Sequence, residues 1–127
     1  MANDFLENLF GLSGQVAVVV GGTGTLGGAL CDGIAQAGAL VVVAGNSEAR
    51  GNERVAEIKK LGGQAEFLPA DVGTRQSLEA LLASTVSQFG RVDMLVNCAG
   101  VNSASPYLEV TDDDWQRVLD VNLRGTH

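Results

Sequence analysis

The run Gly21-Gly22-Thr23-Gly24-Thr25-Leu26-Gly27-Gly28 is where residue type and spacing first specify a chemistry. Glycine lets the main chain turn tightly and approach a ligand closely. A helix that starts in such a turn offers unpaired N–H groups to an anion. A pyrophosphate suits that arrangement. Leu26 is the apolar member of the turn and is expected to pack under a bound nucleotide, with Thr23 and Thr25 beside it.

The flanking segments give the turn its context. Val16 to Val20 is a short, wholly apolar, β-branched run, the pattern of a strand buried on both faces. After the turn, Leu26, Leu30, Ile34 and Ala37 recur at helical spacing, and Gly38 closes that helix. The pattern then repeats. Leu40 to Ala44 reads as a second strand, and Glu48 to Leu61 as a helix stopped by Gly62-Gly63. Ala65 to Pro69 reads as a third strand, which Pro69 must end. Thr74 or Ser77 can cap a helix running to about Phe89, with Gly90 as its stop. Val92 to Asn97 reads as a fourth strand. Thr111 with Asp114 resembles a capping box, opening a helix through Trp115, Val118, Leu119 and Leu123 that is expected to run to His127. Ahead of all this, Phe5, Leu6, Leu9 and Phe10 share one helical face, so residues 3–10 are expected to form a short docking helix.

Strands alternating with helices at this spacing predict an α/β fold with a parallel sheet and right-handed crossovers. The expected architecture is a Rossmann-type doubly wound sheet in three αβα layers, strand order 3-2-1-4, forming one domain over residues 1–127. A ligand would sit at the switch point between strands 1 and 4. Sites of this kind that prefer NAD hold the ribose hydroxyls with a carboxylate at the end of strand 2. Here that strand ends Val43-Ala44-Gly45-Asn46-Ser47 with no acid, and Arg50 follows. A 2′-phosphate would meet Asn46, Ser47 and Arg50 instead of a repelling carboxylate. NADP(H) is therefore the expected cofactor, with NAD as the alternative.

From residue 12 onward the chain resembles the N-terminal half of a short-chain dehydrogenase/reductase. Gly21 and Gly27 match the first and last glycines of that family's Thr-Gly-x-x-x-Gly-x-Gly loop. Val20 stands in place of its Thr and Thr25 in place of its middle glycine, so Gly24 would shift the close approach by one residue. Asp71-Val72 after strand 3 resembles the family's adenine-contacting Asp. Asn97-Cys98-Ala99-Gly100 is similar to its Asn-Asn-Ala-Gly beside the adenosine. Asp120-Val121-Asn122 is similar to the helix segment whose Asn belongs to the catalytic tetrad. The resemblance implies hydride transfer between a nicotinamide and a small carbonyl or alcohol substrate, and a homo-oligomer in the full-length form. The leader and the variant loop are reminiscent of members acting on sugar-derived keto acids. Structural alternatives stand beside each residue: Asp71 as a helix cap, Asn97 as a turn residue, Asn122 as an ordinary surface residue.

The rest of the tetrad, a Ser and a Tyr-x-x-x-Lys pair, has no match in this span. Tyr107 is followed by Leu108-Glu109-Val110-Thr111, so it reads as a packing or substrate-loop residue. The expectation is a truncated domain that does not catalyse the reaction by itself. A catalytically silent nucleotide-binding or interaction module is the alternative, as is a product that does not fold alone.

Composition sets the outer bounds. The 127 residues carry 17 glycines, about twice the usual ~7 % share. The net charge of −7 argues against a nucleic-acid or anionic-membrane binder. The N-terminus carries acid where a signal peptide needs Lys or Arg, and no uncharged apolar stretch approaches the ~20 residues of a membrane helix. A soluble, cytoplasmic protein is expected. Cys31 and Cys98, both among apolar residues, are expected to be buried reduced thiols; no metal site is expected.

Overall fold

The computed structural model describes residues 2–127. Four strands, β1 (Val16–Val20), β2 (Leu40–Gly45), β3 (Gln64–Pro69) and β4 (Met94–Asn97), form one parallel sheet in the order β3-β2-β1-β4. The crossovers are α2 (Thr25–Gln36), α3 (Glu48–Lys60) and α4 (Arg75–Phe89). Helices α1 (Ala2–Phe10) and α5 (Asp112–Asn122) lie before and after the repeats. The architecture and strand order are those the sequence predicts.

The alternation of side chains along the strands builds two cores, one on each face of the sheet. Val19, Val41 and Val43 pack with Cys31 and Ala35 of α2 and with Val55 and Ile58 of α3. Val16, Val18, Val20, Val42 and Ala44 pack on the other face with Leu81 of α4. Thr85, the buried polar residue of α4, donates to the Leu81 carbonyl at 2.8 Å, so its hydroxyl is satisfied. Arg54 bridges Asp32 of α2 and Glu57 of its own helix at 2.8 and 2.9 Å, tying α2 to α3.

Several boundaries depart from the sequence reading. Strand β4 begins at Met94 instead of Val92 because the Asp93 side chain takes a place in the ladder. Its carboxylate accepts from the Val16 N–H at 2.8 Å while its own N–H donates to the Val16 carbonyl at 2.9 Å. Thr74 occupies the N-cap of α4 without a side-chain bond, and the Ser77 hydroxyl instead accepts from the Asp71 N–H at 2.8 Å. Helix α5 does start at its Thr111 cap, which accepts from the Asp114 N–H at 3.2 Å. It stops at Asn122, and the chain tightens into a 3-10 turn over Arg124–Thr126. Gly125 packs there against Val72, where a Cβ would come within 2.9 Å.

Two apolar faces stay uncovered. On α1, Phe5, Leu6, Leu9 and Phe10 are all exposed, so the expected docking does not occur on this chain. On α5, Trp115, Leu119 and Leu123 are exposed, and Leu95 and Val92 are exposed beside the outer edge of β4.

Candidate functional site

The C-terminal ends of the four strands converge on a cleft of about 310 Å3. Its walls include Gly21, Thr23 and Gly24 from the first turn, Asn46 and Arg50 after β2, and Asp71 and Val72 after β3. Ala99, Gly100 and Val101 after β4 close the far side, with Cys98 and Val121 behind them. The fold thus brings together three of the four motifs separated along the sequence, and part of the fourth through Val121.

Each glycine of the first turn has a distinct physical task. Gly21 has φ +88°, a left-handed conformation costly for any residue with a Cβ. A Cβ there would also lie 2.5 Å from the Ala99 nitrogen, so Gly21 lets the turn rest on the β4 loop. Gly27 is pressed against the Gly21 carbonyl, which a Cβ would strike. Gly24 is different. It is the N-cap of α2 with ordinary dihedrals, and a Cβ there meets only the Gly21 carbonyl at 3.3 Å. Gly24 lines the cleft.

Helix α2 carries no side-chain cap. The N–H groups of Thr25, Leu26 and Gly27 form its first turn, and a helix cannot pair these internally. Unpaired N–H groups at a helix start, together with the helix dipole, suit an anion, and Gly24 at this helix start lines the cleft. The Thr23 side chain packs over Gly45, where a Cβ would come 2.6 Å from its Oγ1. Leu26 is 68 % exposed at the helix start and is not among the cleft-lining residues.

On the β2 side, the Ser47 hydroxyl caps α3, accepting from the Arg50 N–H at 3.5 Å. Ser47 is thereby a helix cap and not a wall residue, while Asn46 and Arg50 line the cleft. Among the described residues Arg50 has no carboxylate within ion-pair distance, so its guanidinium is open to an anionic ligand. Asp71 divides its carboxylate: Oδ1 accepts from the Gly73 N–H at 2.8 Å, and Oδ2 has no protein donor among the described residues. Asp71 is both a turn former and a wall of the cleft.

Asn97 is not in the cleft. It is the last residue of β4, and the period-two alternation of the strand turns it to the α4 face beside Val20 and Leu95. Asn122 sits behind the wall. Its Oδ1 accepts from the Val101 N–H at 2.8 Å and its Nδ2 donates to the Val101 carbonyl at 2.9 Å, clamping the loop after β4 to α5. A second grip on that loop, Arg117, is absent from the sequence reading. Its Nη2 donates to the Asn102 carbonyl at 3.1 Å and to Asp114 at 2.7 Å. The i,i+3 spacing of Asp114 and Arg117 was visible in the sequence; the reach to Asn102 requires the fold.

Of the two free cysteines, Cys31 is fully buried under Gly22 and Cys98 is half-buried at the cleft wall. Burial first, and then the neighbouring Asp32 carboxylate, push the Cys31 thiol up to about 12. That thiol is a packing group and no nucleophile at neutral pH.

Comparison with known proteins agrees with this geometry. The family profile described as short chain dehydrogenase matches residues 15–127. A short-chain reductase, NovJ of Streptomyces niveus, is 40 % identical over 88 % of this chain and 43 % of its own. Human 3-hydroxyacyl-CoA dehydrogenase type-2 is 40 % identical over 91 % of this chain and 45 % of its own. The crystal structure of a dehydrogenase/reductase from Sinorhizobium meliloti superposes with a TM-score of 0.90 at 32 % identity, covering 97 % of this chain and 49 % of that one. The chain thus spans a little under half the length of these relatives. It belongs to the short chain dehydrogenase family of oxidoreductases.

Proposed function

We propose that the cleft binds NADP(H) and that the chain is the cofactor-binding part of an enzyme moving hydride between the nicotinamide and a carbonyl or alcohol substrate. One observation carries this reading: Gly24 at the uncapped start of α2, the unpaired Arg50 and Asp71 all line one cleft. The residues present fit the cofactor. The N–H groups of Thr25, Leu26 and Gly27 would hold the pyrophosphate beside Gly24. Asn46 and Arg50 would take the 2′-phosphate, a charge-assisted pairing that a ribose hydroxyl cannot offer. Asp71 and Val72 would border the adenine, and Ala99 and Gly100 the adenosine and its ribose. When bound, the nicotinamide supplies the hydride donor or acceptor.

The substrate is a small molecule of the carbonyl or alcohol class; no residue described above narrows it to a sugar-derived keto acid. Asn122 holds the loop that borders the reacting end, and its part in catalysis acts through that loop. Tyr107 has Thr111 four residues on, so no Tyr-x-x-x-Lys pair to transfer the proton stands within these 127 residues, and the span by itself is expected to bind without turnover. Among the described residues no helix is long and apolar enough to cross a membrane. We place the working enzyme in the cytoplasm as a homo-oligomer without nucleic-acid partners, in keeping with the net charge of −7.

Titration calorimetry with NADPH and NADH tests the assignment. Arg50→Ala should weaken NADPH about 10-fold or more while changing NADH less than about 2-fold, the loss of one charge-assisted contact. Equal losses for both cofactors would remove Arg50 from the 2′-phosphate.

A further inference from the structure

Residues 101–105 leave the cleft without regular secondary structure and are held by two side chains of α5. One is Asn122, on the Val101 backbone. The other is Arg117, one and a half turns earlier, which joins the loop to the start of its own helix. Its Nη2 reaches both the Asn102 carbonyl and Asp114 Oδ1, and its Nε also donates to Asp114 Oδ1 at 3.1 Å. The planar fork suits this double task, since a guanidinium presents several donors in fixed directions. Asp114 is fixed in turn by its N–H on the Thr111 hydroxyl. The Ser103 hydroxyl, first, and Arg117 hold the Asp114 carboxyl below the usual carboxylate range, so Asp114 is a carboxylate at neutral pH. Asp114 Oδ2 is buried with no hydrogen-bond partner among the described residues.

The loop's place relative to the cleft gives this grip a consequence. In a doubly wound sheet the two halves of a dinucleotide lie on opposite sides of the switch point. Here β1, β2 and β3 with Asn46, Arg50 and Asp71 form one side. Val101, held by Asn122 and continuous with the gripped loop, lies on the other, past the Gly100 that borders the adenosine.

Resting on the cofactor reading above, we propose that Arg117, braced by Asp114, is a positioning residue that sets the loop after β4 for the nicotinamide half of the cofactor. It touches no part of the cleft itself. Its effect is therefore confined to ligands that extend past the pyrophosphate.

Two probes separate the halves: NADPH, and adenosine 2′,5′-bisphosphate, which carries only the adenosine and 2′-phosphate end. Arg117→Ala in the full chain should weaken NADPH about 5-fold or more and leave the bisphosphate within about 2-fold. Arg117→Lys, which keeps one donor and the charge, should recover part of the NADPH affinity. Hydrogen exchange at the amides of Val101 to Ser105 should accelerate in the alanine variant and not at β2 or β3. A parallel loss of both probes, or no loss of either, overturns the proposal. A wild-type chain that binds the bisphosphate with the affinity of NADPH overturns it too, since the loop then adds nothing. A wild-type chain that binds neither probe overturns the cofactor reading itself, and this inference with it.

Discussion

Single residues in the first turn separate folding from binding. Gly27 has no room for a methyl group against the Gly21 carbonyl, so Gly27→Ala must open the turn. It should cost about 1–3 kcal/mol of stability, the range for overpacked sites, and lower the denaturation midpoint accordingly. Gly24 has ordinary dihedrals and one close neighbour, the Gly21 carbonyl 3.3 Å from a Cβ, so Gly24→Ala should cost about 1 kcal/mol. The same methyl group would stand where an anion approaches α2. Gly24→Ala is therefore expected to keep the fold and lose most dinucleotide affinity, measured by urea melts and calorimetry on the same sample. Retained affinity would place the phosphates elsewhere. These distinct tasks were only partly legible in the sequence. Composition and placement identified the turn, but which glycine packs and which one leaves space depends on where Ala99 and Gly21 meet in space. Asn97 and Leu26 show the same limit. Motif position put both near a cofactor, whereas strand alternation turns Asn97 to the α4 face and Leu26 is exposed at the helix start, outside the cleft lining.

At the scale of elements, hydrophobic runs and glycine stops located every strand and helix, because buried parallel strands and capped helices leave strong local signals. The ends were less legible because they depend on long-range polar contacts. Asp93 is the clearest case: its side chain replaces a backbone partner of Val16 and so shortens β4. The Arg91 guanidinium, first, and the Val16 N–H lower the Asp93 pKa in the folded chain. A carboxyl with a depressed folded pKa adds stability that is full above the ordinary carboxylate range near 4. That contribution is lost as pH falls through the lower folded value. Asp93→Asn should therefore lower the melting temperature at pH 7, and the gap from wild type should shrink as pH falls below about 4. A gap independent of pH would mean that the Asp93 charge contributes nothing. Helix α5 teaches a related lesson. Its apolar stripe predicted a continuous helix, but the Asn122 bonds to Val101 and the close approach of Gly125 to Val72 end it five residues short of His127.

The whole molecule is four strands with a filled core on each face, organised about one cleft at their C-terminal ends. Strand order, layers and cleft position were legible because βαβ alternation leaves few topologies open. The open apolar faces of α1 and α5 and the exposed Leu95 at the β4 edge were only partly foreseen, since periodicity shows that a face is apolar without showing what covers it. The central claim is that this cleft holds a dinucleotide, and ligand-dependent stability tests it most directly. Thermal unfolding of the 127-residue chain would be followed with rising NADPH, with NADH alongside. A ligand that binds only the folded state adds about RT ln(1 + [L]/Kd), roughly 2.7 kcal/mol at a hundred times Kd. For a chain of this size that raises the melting temperature by about 10 °C. A cooperative transition is expected that climbs with the logarithm of NADPH concentration, and climbs less with NADH. A transition unmoved by millimolar NADPH would contradict that claim.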